Sequence, residues 1–147
     1  MPPNLRETIE ALNERIYPSL NNGVYRAGFA TTQEAYEDAF AGVFAMLDEL
    51  EERLGDGRKF LIDERFTEAD VRLFVTLVRF DLAYYGLFKC NLRRIADDSK
   101  LSAYLARVLD IPGIRETVNI DHIKRGHYSI KTLNPTGIVP VGPEMPS

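Results

Sequence analysis

The one strong nucleophile in this sequence is Cys90, and two readings compete for it. A reactive cysteine needs a helix N-terminus or a positive neighbour to stabilise its thiolate. Lys89 precedes it, and Arg93 and Arg94 follow. The flanking Leu87, Phe88 and Leu92 instead favour a small apolar side chain buried in a core. The core reading is preferred, and no catalytic residue is assigned. His122 and His127 stand five apart, where a helical metal pair needs four. Beyond these and Cys90 there is no cysteine or histidine, so no metal site is expected.

Tyrosine is the more informative type, with seven residues against no tryptophan. Tyr36 and Tyr104 sit on apolar stripes and read as core. Tyr25, Tyr84, Tyr85 and Tyr128 lie in or beside glycine-containing breaks, where phenols either converge on a pocket or pack on a surface. A phenol donates or accepts a hydrogen bond without ionising, and aromatic walls suit a flat aromatic ligand. Neither property breaks a covalent bond. Lys89, Arg93 and Arg94, with Lys124, Arg125 and Lys131, form two small basic clusters. They read as solvated faces or as a seat for a small anion. No phosphate-binding loop, dinucleotide fingerprint, nucleophile elbow or Ser-His-Asp set can be assembled.

The elements that must carry these residues read as helices. Leu5, Ile9, Leu12 and Ile16 predict a first helix from Asn4 to about Tyr17, stopped by Pro18. The segment from Asn21 to Ala30, with two glycines, reads as a loop. Thr31 or Thr32 caps a long second helix, with Glu34 placed for a capping box from Thr31. Its stripe runs through Tyr36, Phe40, Val43, Phe44, Leu47, Leu50 and Leu54, and Gly55 and Gly57 end it.

The clearest local signal is FTEADVRLFVTLVRFD. Thr67 reads as an N-cap, Asp70 completes a capping box, and Phe66 with Val71 can form a hydrophobic staple. From Ala69 to Val78 the helix is apolar on most of its circumference, which predicts a place in the middle of a bundle. A mixed segment broken by Gly86 follows. A further helix from Ser99 to Asp110 buries Leu101, Tyr104, Leu105 and Val108, and Pro112 and Gly113 break it. A short helix from Ile114 leads into HIKRGHYSIK. The end, NPTGIVPVGPEMPS, has four prolines and is expected to be an extended tail. No strand is convincing. The expected fold is all-α, one helical domain over residues 1–147.

Eighteen basic against twenty-two acidic residues give a net charge of −4, which argues against a nucleic-acid partner. No uncharged apolar run, Leu73 to Val78 included, approaches the roughly 20 residues a spanning helix needs, so no membrane is expected. No secretory leader is visible before Leu5, and one cysteine suits a reducing cytoplasm.

The capped helix FTEADVRLFVTLVRF resembles the buried central helix of the glutathione-transferase helical domain. Three further strings narrow the resemblance: NNGVYRAGFATTQEAYE from Asn21, RFDLAYYGLFKCNLRRI from Arg79, and IPGIRETVNIDHIKRGHYSIKTLNPTGIVPVGP from Ile111. Together they resemble the xi-class glutathione transferases, the glutathionyl-hydroquinone reductases. The resemblance implies a thioredoxin-like domain bearing a reactive cysteine, glutathione as co-substrate, and a homodimer formed by the helical domain. It also implies tyrosines that hold a hydroquinone-type aromatic molecule. By motif match these fall on Tyr25 in GVYRAGF and Tyr84 in RFDLAY. A third is expected just after HIKR, where the family commonly has two adjacent tyrosines and this chain has His127 and Tyr128. Either of these then supplies the contact.

No strand-rich segment or Cys-Pro motif precedes Leu5, so the chain is expected to be the helical half alone, without turnover of its own. Two other functions stay open: a helical protein-interaction module, and the helical half of a conjugating glutathione transferase.

Overall fold

Six α-helices form the frame of the computed structural model, which describes residues 3–143. They are α1 (Pro3–Ile16), α2 (Gly23–Gly28), α3 (Gln33–Leu54), α4 (Glu68–Arg79), α5 (Ser99–Leu109) and α6 (Ile120–Tyr128). Among the described residues no strand forms beyond an isolated bridge between Ile62 and Arg65. The all-α class is as expected.

Helical spacing decides which faces meet. Ile9, Leu12 and Ile16 of α1 are buried, as are Val43, Phe44, Leu47, Leu50 and Leu54 of α3 and Leu101, Tyr104, Leu105 and Val108 of α5. Helix α1 packs on α4, α3 on α2 and α5, and α4 on α5. The start of α4 is fixed as its sequence predicts. Thr67 Oγ1 accepts the Ala69 amide at 3.2 Å, and Asp70 Oδ2 accepts the Thr67 amide at 2.8 Å. The staple is less clear: Phe66 meets Phe60 edge to face at 5.5 Å, and both Phe66 and Val71 keep more than a third of their surface in water.

Several expectations are overturned. Pro18 does not stop the chain's helical course; it lies in a π-helical turn, Tyr17–Asn21, closed by the Asn22 amide on Tyr17 O at 2.8 Å. The wider turn clears the pyrrolidine ring, and the Ser19 hydroxyl takes up the carbonyl of Arg15 at 2.6 Å. The predicted loop is helix α2. Its glycines serve close packing: a Cβ on Gly23 would meet Val43 Cγ2 at 3.1 Å, and one on Gly28 would lie 2.4 Å from Phe88.

Thr32, not Thr31, caps α3, accepting the Ala35 amide at 3.1 Å. Tyr36 is half-buried rather than core, its hydroxyl donating to Lys89 O at 2.6 Å. The stretch from Ile114 is a short 3-10 turn, Arg115–Thr117, and Asn119 then caps α6. Helix α4 has a wet side after all, with Val71, Arg72 and Val75 exposed. After α6 the chain is irregular, and Val141 O accepts from the Lys124 ammonium at 2.8 Å. The last residues of the expected tail, Glu144 to Ser147, lie outside the described residues.

Candidate functional site

Tyr25 stands on α2, and Tyr84 ends a second π-helical turn, Phe80–Tyr84, that continues α4. Fifty-nine positions apart in sequence, their hydroxyl oxygens lie 3.3 Å apart. The rings meet edge to face at 5.6 Å, and Tyr84 stacks on Phe88 at 5.2 Å with a 12° interplanar angle. Phe88 reaches that position because Gly28 leaves room for it. Tyr84 is 3% exposed and Tyr25 39%, so the pair has one buried and one open member.

The pair borders an open cleft of about 360 Å³. Helix α1 and its π turn contribute Asn13, Tyr17 and Asn21, and α4 contributes Arg72, Val75, Thr76 and Arg79. The Asn21 side-chain amide donates to Arg72 O at 3.0 Å and to the Thr76 hydroxyl, which ties the π turn to α4. Burial, and then the Tyr25 hydroxyl, push the Tyr84 phenol above its ordinary range. It remains a neutral phenol in working buffers. The cleft therefore offers aromatic walls, an apolar patch at Val75 and a neutral hydroxyl pair, which suit a flat ligand bearing oxygen.

His127 lies behind Tyr84, ring edge to face at 5.4 Å, and its Nδ1 is 2.8 Å from Ile123 O. Tyr128 turns toward the chain at Gly86: its oxygen would be 2.8 Å from a Cβ on Gly86. Tyr25 and Tyr84 line the cleft; His127 and Tyr128 are not among its walls. Sequence reasoning missed Asn13, Tyr17, Asn21, Arg72, Thr76 and Arg79. A signal existed: Arg72, Thr76 and Arg79 recur at helical spacing in an otherwise apolar helix.

Cys90 is fully buried, with burial pushing its thiol up to about 12. It is a core residue. The basic clusters are largely spent on the chain itself. Arg93 pairs with Asp48 and Asp98 and covers the Phe44 ring, Arg94 pairs with Asp97, and Arg125 with Asp121. Among the described residues no group of three or more His, Cys, Asp and Glu side chains could hold a metal. No helix there is long and apolar enough to cross a membrane.

Residues 33–107 match the family model for the glutathione S-transferase C-terminal domain, and the chain belongs to that family. Within it, the chain is homologous to glutathionyl-hydroquinone reductases. It is 55% identical over 146 residues to glutathionyl-hydroquinone reductase PcpF of Sphingobium chlorophenolicum, covering 99% of this chain and 46% of that protein. The glutathione-bound structure of YqjG, a glutathione transferase homologue of Escherichia coli K-12, superposes with a TM-score of 0.94 at 50% identity, over 98% of this chain and 47% of that one. The glutathione S-transferase Xi of Phanerochaete chrysosporium gives 0.93 at 46% identity, over 97% and 48%. The chain spans about half the length of these relatives.

Proposed function

We propose that this chain is the substrate-binding and dimerising half of a glutathione-dependent reductase that removes glutathione from glutathionyl-hydroquinones. The observation that carries this reading is the Tyr25–Tyr84 hydroxyl pair on the border of the cleft. In this account the hydroquinone ring lies in the cleft and its oxygens bond to the two phenols. His127 holds the Tyr84 ring from behind, and Tyr128 contributes through its packing on Gly86. The relatives' names, together with a chain half their length, support assigning thiolate and glutathione site to a thioredoxin-like domain. Cys90 is no substitute for that thiolate. The proposed compartment is a reducing one, the cytoplasm.

Joining the chain to a cysteine-bearing thioredoxin-like domain tests the assignment. The joined protein should turn over a glutathionyl-hydroquinone, and Tyr25→Phe or Tyr84→Phe should each lower turnover by about 2- to 12-fold, one neutral hydrogen bond. The chain alone should show none. Turnover by the chain alone would contradict the division of labour. Dimerisation is checked by sedimentation: a dimer at micromolar concentration is expected, and a monomer throughout would remove that part of the proposal.

A further inference from the structure

The charge of the cleft is as distinctive as its shape. Two guanidiniums, Arg72 and Arg79, line it, and no carboxylate does. Arg72 is matched within α4 by Glu68 at 2.6 Å. Arg79 is not matched. Among the described residues its one hydrogen bond runs from Nη1 to Val75 O at 2.8 Å, which leaves Nε and Nη2 with donors to spare. The side chain is half-buried, so its charge is incompletely hydrated.

The other lining groups are neutral, apart from the paired Arg72, so none offsets that charge. The phenol pair holds two hydrogens and uses one between its own oxygens, leaving one outward donor. Both hydrogens of the Asn21 amide are already engaged. The cleft is thus cationic beside an aromatic floor, its free donors being one phenol hydrogen and the remaining Arg79 N–H groups.

We propose that Arg79 makes this cleft selective for aromatic ligands whose ring carries an anionic substituent, such as a carboxylate, over the corresponding neutral ring. This rests on the reading of the cleft as an aromatic-ligand site and adds the class of ring it prefers. The phenol pair holds the ring oxygens, and the guanidinium takes the substituent through charge-assisted hydrogen bonds, which are about twice as strong as neutral ones.

The test is a titration of the 147-residue chain with hydroquinone and with its ring-carboxylated derivative, followed by tyrosine NMR signals at low salt. The carboxylated ring should bind about 10-fold tighter, the difference expected between a charge-assisted and a neutral hydrogen bond. Arg79→Gln should bring the two to parity, the carboxylated ring losing about 10-fold relative to hydroquinone. As a check needing no variant, added salt should erode the advantage of the carboxylated ring and leave hydroquinone binding alone. Equal affinities in the unaltered chain, or an Arg79→Gln loss shared by both ligands, would overturn the selectivity and leave the ring-binding reading standing. Binding of neither ligand would bring down the ring-binding reading itself and the selectivity with it.

Discussion

Tyr104 on α5 donates its phenol hydrogen to Asp70 Oδ1 across 2.7 Å, and neither residue is reached by water. The same carboxylate accepts the Leu61 amide at 3.0 Å and the Thr67 amide at 2.8 Å. One side chain thereby joins the loop before α4, the first turn of α4 and α5. Burial, and then the Asp70 charge, push the Tyr104 phenol well above its ordinary range, so it stays a donor. From the cap pattern alone Asp70 is the lesser half of a box; in the structure it is the greater.

Asp70→Ala should therefore cost about 3–5 kcal/mol, because it strands the buried Leu61 amide and Tyr104 phenol together with the half-buried Thr67 amide. Thr67→Ala should cost about 1–2 kcal/mol, a lost cap. Tyr104→Phe should fall between, at about 1.5–3 kcal/mol for one bond to a charged group. Urea denaturation checks the order. A Thr67→Ala variant less stable than Asp70→Ala would show that the three-way anchoring is wrong.

Gly28→Ala sets helix propensity against packing. In an exposed helix the change would gain about 1 kcal/mol. Here the new methyl would lie 2.4 Å from the Phe88 ring, and the clash should win, with a net loss of about 1–3 kcal/mol. Phe88 should also tilt away from Tyr84, changing the near-ultraviolet circular dichroism. Stabilisation, with the aromatic signal unchanged, would contradict the packing account.

Cys90 should be chemically silent in the native state. With the thiol buried and pushed up to about 12, a disulfide reagent at about pH 8 finds almost no thiolate, whereas an unperturbed cysteine near pKa 8.5 reacts readily. The chain's single thiol should be labelled only on unfolding, at a rate set by that step. Fast labelling of the folded chain would return Cys90 to the list of chemical groups.

What could be read from the sequence was what local spacing determines. Thr67 and Asp70 are three apart and bond within one turn, so the cap of α4 was visible; so were the buried stripes of α3 and α5. Gly23 and Gly28 were misread because glycine looks like a breaker locally, whereas its reason here is distant: Val43 and Phe88 press on it. Pro18 was misread for a similar cause, since a π turn absorbs it. Tyr25 and Tyr84 could each be singled out as phenols near helix breaks. Their 3.3 Å separation could not be, because it depends on how α2 docks beside the turn after α4. The polar stripe of α4 was hidden by the apolar residues around it.

The central claim is that Tyr25 and Tyr84 together hold the ring of the ligand. The most direct measurement is an NMR titration of the tyrosine-labelled chain with a glutathionyl-hydroquinone. The account predicts that the Tyr25 and Tyr84 signals move together on one binding curve. It also predicts that Tyr25→Phe or Tyr84→Phe weakens that curve by about 2- to 12-fold while Tyr36 and Tyr104 stay still. Signals that move only at Tyr36 or Tyr104, or an affinity untouched by both substitutions, would contradict it.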